Sequence, residues 1–210
     1  KPYLDSKNLD LAQDLYFVRI LLLSIKNTMK IKSQILLDEL AKITRENLNY
    51  VQHLKTLSFE KLNARLSQDS WSALECIEHL NRYGDFYVPE IKNRIFASRS
   101  KSETDFKSGL LGNYFAQMML PNDKLKKMKT FESMNPIYSK IDKEVLDVFI
   151  AQQNQLLELL KASQAISLNK TKTAISISKL IKLKLGDTFR FVIYHNQRHI
   201  LQAKKVIETI

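Results

Sequence analysis

Cysteine is almost absent: Cys76 is the single one in 210 residues. One thiol can neither close an intrachain disulfide nor build a thiolate cluster for zinc. Any metal must then be held by histidine and carboxylate, and a reducing cytoplasm is the expected compartment. Turn formers are also scarce, with 4 Gly and 4 Pro along the chain. That disfavours a turn-rich β architecture and, with a hydrophobic share of 44%, points to an all-α fold of long helices. Long apolar runs are missing too. The longest, Leu15 to Ser24, is too short to span a bilayer and holds Arg19 at its middle. The N-terminus carries Asp5, Asp10 and Asp14 rather than the basic start and small-residue cleavage site of a secretory signal, so export is not expected. A chain of this length suits one domain whose core needs neither disulfide nor structural metal, which leaves any metal free to serve function.

Acidic residues are the minority, 22 against 33 Lys and Arg, for a formal charge of +11. Clustered cations release counterions on meeting phosphate, which raises a nucleic-acid reading. Residues 161–184 hold six lysines and no acid, and Lys124, Lys126, Lys127 and Lys129 form a second group. Both are diluted by Ser, Thr and aliphatic residues without interleaved aromatics for base stacking, so a solvated basic surface is expected and a nucleic-acid partner is not.

Residues 1–28 look unlike the remainder, and Met29 heads a sensible start. The stretch reads as an N-terminal extension or, because Leu11, Leu15, Val18, Leu22 and Ile25 fall at helical spacing, as an extra packed helix. Residues 29–210 are the expected domain. Its first helix spans about Ile31 to Leu54, with Leu36, Leu40, Ile43, Val51 and Leu54 on one face. Ser72-Ala73-Leu74-Glu75 forms a capping box that starts a second helix, continuing to about Ala97 with Gly84 loosening it and Pro89 kinking it. Ser98 to about Pro136 reads as a long, partly helical connection. Ile141, Val145, Val148, Phe149, Leu156, Leu159 and Leu160 mark a third helix from about Tyr138 to Ala162. A second link through Asn169 and Thr173 leads to Asp187, the expected cap of a last helix ending near Glu208. Four helices and two long links suit a bundle with crossover connections.

Histidine is also sparse, and its placement is informative: His53, His79, His195 and His199 are all there are. His195 and His199 lie one turn apart on the face shared by Val192, Gln202, Ala203 and Val206, so both imidazoles project from the stripe that looks into the bundle. An i, i+4 pair can bring two ring nitrogens to one Zn, Ni, Cu or Fe ion, or it can simply satisfy buried hydrogen bonds. His79, beside the line Cys76, Leu80, Tyr83 and Tyr87, can turn toward the same core and supply a third nitrogen. Three nitrogens leave positions open for water, the pattern of a catalytic rather than a structural zinc site. His53 has no such pattern and reads as a surface residue. Trp71 reads as a packing residue behind the helix cap, Cys76 as an inert core thiol, and Gln202 as a partner able to orient an imidazole. Arg198 and Gln197 fall off the histidine face.

Trp71-Ser72-Ala73-Leu74-Glu75-Cys76-Ile77-Glu78-His79-Leu80 resembles the W-S-x-x-E-x-x-x-H-L signature of the DinB/YfiT-like superfamily. His195-Asn196-Gln197-Arg198-His199 with Gln202 resembles that family's C-terminal H-x-x-x-H element. The resemblance covers about Lys32 to Ile207. It implies a four-helix bundle, often homodimeric, that binds a divalent cation such as nickel or zinc through His79, His195 and His199. Family members include S-transferases and isomerases that use bacillithiol or mycothiol, and others are described as metal-dependent hydrolases. Residues 1–28 lie outside the family pattern.

Three functions remain open on this reading, the first two on a small-molecule substrate. In the first, the ion lowers the pKa of a low-molecular-weight thiol and presents thiolate to an electrophile. In the second, metal-bound water is the nucleophile of a hydrolase, with Glu75, Glu78 or Tyr83 nearby to manage protons. In the third, the protein is a non-catalytic metal-binding stress-response protein.

Overall fold

A computed structural model describes residues 28–121 and 130–210. The expected extension, Thr28 apart, and the lysine group at 124–129 lie outside the described residues. In chain order the elements are β1 (Lys30–Lys32), α1 (Ser33–Leu54), α2 (Phe59–Asn63), α3 (Ala73–Ala97), β2 (Asp105–Lys107), α4 (Leu110–Met119), α5 (Glu144–Ala162), β3 (Lys172–Ile175), β4 (Ser178–Lys184) and α6 (Leu185–Thr209), with 3₁₀ turns at Glu132–Met134 and Ser163–Ala165. The fold is mostly helical, as the scarcity of turn formers implies. None of the helices among the described residues is long and apolar enough to cross a membrane.

Four long helices make the bundle. The helix pair α1 and α3 both pack on α5 and on α6, so α1 lies diagonally across from α3. Two apolar clusters give the chain directions. One joins Leu36 and Leu40 from the start of α1 to Ile91 and Ile95 from the end of α3, with Leu159 and Phe189. The other joins Val51 and Leu54 to Leu74, Ile77, Phe149 and Ile200. Thus α1 and α6 run one way and α3 and α5 the other, and the connection from α3 to α5 must return along the bundle. Each fully buried Leu or Ile contributes roughly 1.5–3 kcal/mol by leaving water.

Helix α3 begins where the capping box predicts. The Ser72 hydroxyl accepts from the Glu75 amide at 3.2 Å, and the Glu75 carboxylate accepts from the Ser72 amide at 2.8 Å. The helix then runs continuously with Pro89 inside it. Gly84 has a different role from the loosening expected of it. A Cβ built there would lie 1.9 Å from Gln152 Oε1, so the glycine is the recess into which α5 sets its Gln152 side chain.

The links differ most from expectation. Ser98 to Pro136 contains β2, which pairs antiparallel with β1 (Ile31 opposite Phe106), and a full helix, α4, packed on α6. The second link is a β hairpin, with Thr173 opposite Leu183 and Ile175 opposite Ser178. Its Thr- and Ile-rich composition suits strand structure although the run does not alternate strictly. The third helix starts at Glu144 rather than near Tyr138, because Tyr138 takes the left-handed conformation with φ of 60°. Asp187 does not cap α6, which starts two residues earlier. Its carboxylate instead accepts from the Ser108 hydroxyl and, at 2.8 Å, from the Gly109 amide, so it caps α4 from across the fold while pairing with Arg190 at 3.1 Å. Sequence proximity favoured a local cap; tertiary packing used the same carboxylate elsewhere.

Candidate metal centre

The N-terminal part of α3 and the middle of α6 run past each other, and their facing turns bring together three of the four histidines. One ligand-capable atom from each of His79, His195 and His199 lies within 4.8 Å of the others, and these three can hold a metal ion. His79 Nε2 and His195 Nε2 are 3.2 Å apart. Two nitrogens on a tetrahedral zinc, each at about 2.0–2.1 Å from it, would stand about 3.3–3.4 Å apart, so the donor spacing fits a shared cation. The ring centroids are 4.6 Å apart for His79 and His199 and 4.7 Å for His195 and His199. His53 stays exposed on α1, away from this group.

Hydrogen bonds set which nitrogen two of the three rings offer. His79 Nδ1 is 2.7 Å from the Met134 carbonyl. A carbonyl only accepts, so the proton sits on Nδ1 and the Nε2 lone pair turns to the cluster. His199 Nδ1 meets Gln202 Oε1 at 2.9 Å and is oriented in the same sense. Burial keeps all three rings uncharged. Desolvation is the leading cause, holding His79 down to about 4 and His199 to about 3, and His195 well below the ordinary range. Neutral imidazoles crowded together in this way have the protonation state a cation requires.

Around the cluster the walls are aromatic. Tyr83 packs 4.6 Å from His195 and Phe191 stacks on it at 5.9 Å, with planes only 10° apart. Trp71 lies 4.7 Å from His79 and 5.5 Å from His199. Trp71 was expected to be a packing residue behind the cap, and it does rest on the second apolar cluster. Its ring nevertheless faces the histidines, because residue 71 sits outside the helix, where helical periodicity says nothing about direction. Arg198, expected off the histidine face, also lines the cavity beside them and is largely buried.

A loop that sequence reasoning passed over holds the site in place. Met134 belongs to the 3₁₀ turn at Glu132–Met134, and α3 grips this loop several times. Arg82 Nη1 donates to the carbonyls of Ser133 at 3.3 Å and Asn135 at 3.1 Å. Trp71 Nε1 donates to Asn135 Oδ1 at 3.1 Å. Glu75, already part of the helix cap, accepts from Arg65 Nε at 2.9 Å and from the Tyr138 amide at 2.9 Å. Tyr138 is held in its left-handed conformation by that bond, by its hydroxyl donating to the Gln68 carbonyl at 2.8 Å, and by Arg65 over its ring at 4.5 Å. No local pattern signals these contacts, since each spans 50 or more residues apart from the Arg65–Glu75 pair.

The carboxylates near His79 are thereby accounted for. Glu75 is buried and fully engaged in capping and loop attachment. Glu78 pairs with Arg82 at 2.8 Å. Cys76 is wholly buried, and burial pushes its thiol far up, which suits the inert role expected of it. The histidines open onto a cavity of about 900 Å³, in whose lining Asp69 is the only acid among the described residues.

The family model of the DinB superfamily matches residues 42–203, more than half of the chain, a span that includes all three histidines. Neither a curated protein nor a solved structure matches significantly.

Proposed function

The chain belongs to the DinB superfamily, and from that premise we propose that it is a divalent-metal enzyme. His79, His195 and His199 are its ligands, zinc or nickel its ion, and thiol transfer to a small electrophile its reaction. The observation that carries this reading is the three-imidazole cluster in the lining of a roomy cavity, with no carboxylate in the cluster. When bound, a divalent ion on three neutral nitrogens supplies Lewis acidity at its open positions, enough to lower the pKa of a thiol or water.

The chain's own residues do the rest. The Met134 carbonyl and Gln202 fix two ring orientations, so the nitrogens are aimed before any ion or substrate arrives. Trp71, Tyr83 and Phe191 exclude water from the cluster and raise the strength of every charge interaction inside it. Arg198 places positive charge beside the site, which favours an anionic sulfur or a carboxylate-bearing cofactor. Glu75 and Glu78, the carboxylates nearest His79 in sequence, are both paired with arginine, and Asp69 is the only acid in the cavity lining among the described residues. Bound thiol and bound water would each ionise through a lowered pKa, so thiol transfer is preferred on the family resemblance and metal-dependent hydrolysis is the alternative.

Metal analysis of the purified protein beside His79→Ala and His195→Ala tests the ligand set. Close to one equivalent in the parent and little in either variant is expected; full retention in both would overturn it. A panel of thiols and electrophiles with metal-loaded protein tests the reaction, and no acceleration across the panel would reduce the reading to metal binding alone. The proposal extends to a homodimer, as the resemblance implies, and sedimentation of the purified chain checks it. It extends also to a reducing cytoplasm, which the single buried cysteine supports.

A further inference from the structure

The cavity above the histidines is large and its walls are not those of a site for a small polar metabolite. Small-molecule sites span about 300–1,000 Å³, and this one, at about 900 Å³, is near the top of that range. Away from the cluster it is walled by Phe115, Met118 and Met119 from α4 and by Ile175, Ile177 and Leu183 from the β3–β4 hairpin. Ile177 is 55% exposed and Phe131, also in the lining, 57% exposed. Apolar surface therefore continues from the interior out to the rim. Methionine side chains adapt their shape to what they cover, a property suited to a bulky guest of variable outline. The basic residues of the lining are Arg198, between His195 and His199 on α6, and Lys205 further along the same helix, and Asp69, from the loop before α3, is its only acid among the described residues.

We propose that this cavity takes a lipophilic acid: a bulky alkyl or aryl body seated among the α4 and hairpin side chains, with one anionic, metal-ligating head group at the histidines beside Arg198 and Lys205. The role of the head group rests on the metal reading above; the apolar body does not. Burial of each added methylene in such a cavity strengthens binding roughly three- to fourfold until the space is filled.

The test uses straight-chain probes from butyl to decyl, followed by calorimetry on the full chain. With metal-free protein, alkyl carboxylates should tighten with every methylene and should bind better than the primary amides of equal length. Phe115→Gln and Met118→Gln should flatten the dependence on length, and Lys205→Gln, an exposed position on α6, should reduce the preference for carboxylate over amide. Affinity that does not change with chain length overturns the apolar half of the proposal. Equal affinity for amide and carboxylate overturns the anionic half. Alkyl hydroxamic acids with zinc-loaded protein then separate this proposal from the one it rests on. If zinc brings hydroxamates no advantage while the length dependence persists, the metal centre fails and the cavity assignment stands. If zinc-dependent binding occurs without length dependence, the metal centre stands and the lipophilic acid is refuted.

Discussion

Replacing Gly84 by alanine should destabilise the protein, although alanine is the better helix former. In an open helix the exchange would stabilise by about 1 kcal/mol. Here the new Cβ would lie 1.9 Å from Gln152 Oε1, 2.4 Å from its Cδ and 2.8 Å from its Nε2, so the amide must leave. Leaving breaks two bonds, from Gln152 Nε2 to the Asn81 carbonyl at 3.2 Å and to Asp85 Oδ1 at 2.9 Å. The first contributes about 1 kcal/mol, and the second, to a charged acceptor, about 1.5–3 kcal/mol. The net effect of Gly84→Ala is then a loss of roughly 1–3 kcal/mol. Gln152→Ala alone loses the same bonds. Once it is made, however, the recess is free and Gly84→Ala should restore about 1 kcal/mol. The sign of the glycine substitution therefore inverts between the two backgrounds. Urea titrations of the four proteins, read as midpoints at constant slope, measure this directly. If Gly84→Ala has the same sign and size with and without Gln152, the helix contact described for α3 and α5 is wrong.

Other outcomes follow from the site and its supports. Metal-free protein should lose stability in acid: the unfolded imidazoles titrate near the ordinary 6.5, whereas His79 is held to about 4. Stability is complete above 6.5 and falls as pH drops toward 4, by about 3 kcal/mol for His79 alone; urea midpoints between pH 7.5 and 4 should fall more steeply in the parent than in His79→Leu. Gln202→Ala removes the acceptor that orients His199 and should weaken metal binding by roughly 10-fold or more, measured by competition with a chromophoric chelator. Asp187→Ala should cost about 3–5 kcal/mol, since it uncaps α4 and strands the buried Arg190 charge, whose Nε already lacks a partner; thermal unfolding of the variant checks this, and a loss below 1 kcal/mol would show that α4 holds its place without it.

The helices were legible because their signals are local. A capping box at Ser72 and Glu75, apolar residues every three or four positions, and a pair of histidines one turn apart each determine direction and face within a few residues. With the family resemblance, these patterns pointed to the three histidines that the fold brings together. The hairpin was missed because a short Thr/Ile-rich run carries little periodicity of its own. Asp187 was placed at the wrong helix because its partners, Ser108 and Gly109, lie nearly 80 residues away.

What the sequence determined by itself is thus the helical class, the start of α3 and the shared face of His195 and His199, consequences of spacing along one helix, while His79 joined them through the resemblance of its W-S-x-x-E-x-x-x-H-L segment to the family signature. Tertiary structure decided the rest. It turned Trp71 and Arg198 toward the histidines, committed Glu75 and Glu78 to arginine and so removed them from proton transfer, and set Gly84 against Gln152. It also used the Met134 carbonyl to choose the tautomer of His79. These depend on side chains and backbone groups from distant segments meeting in one place, and no short-range rule encodes such a meeting; it exists only once α3, α6 and the loop at 130–138 have packed together.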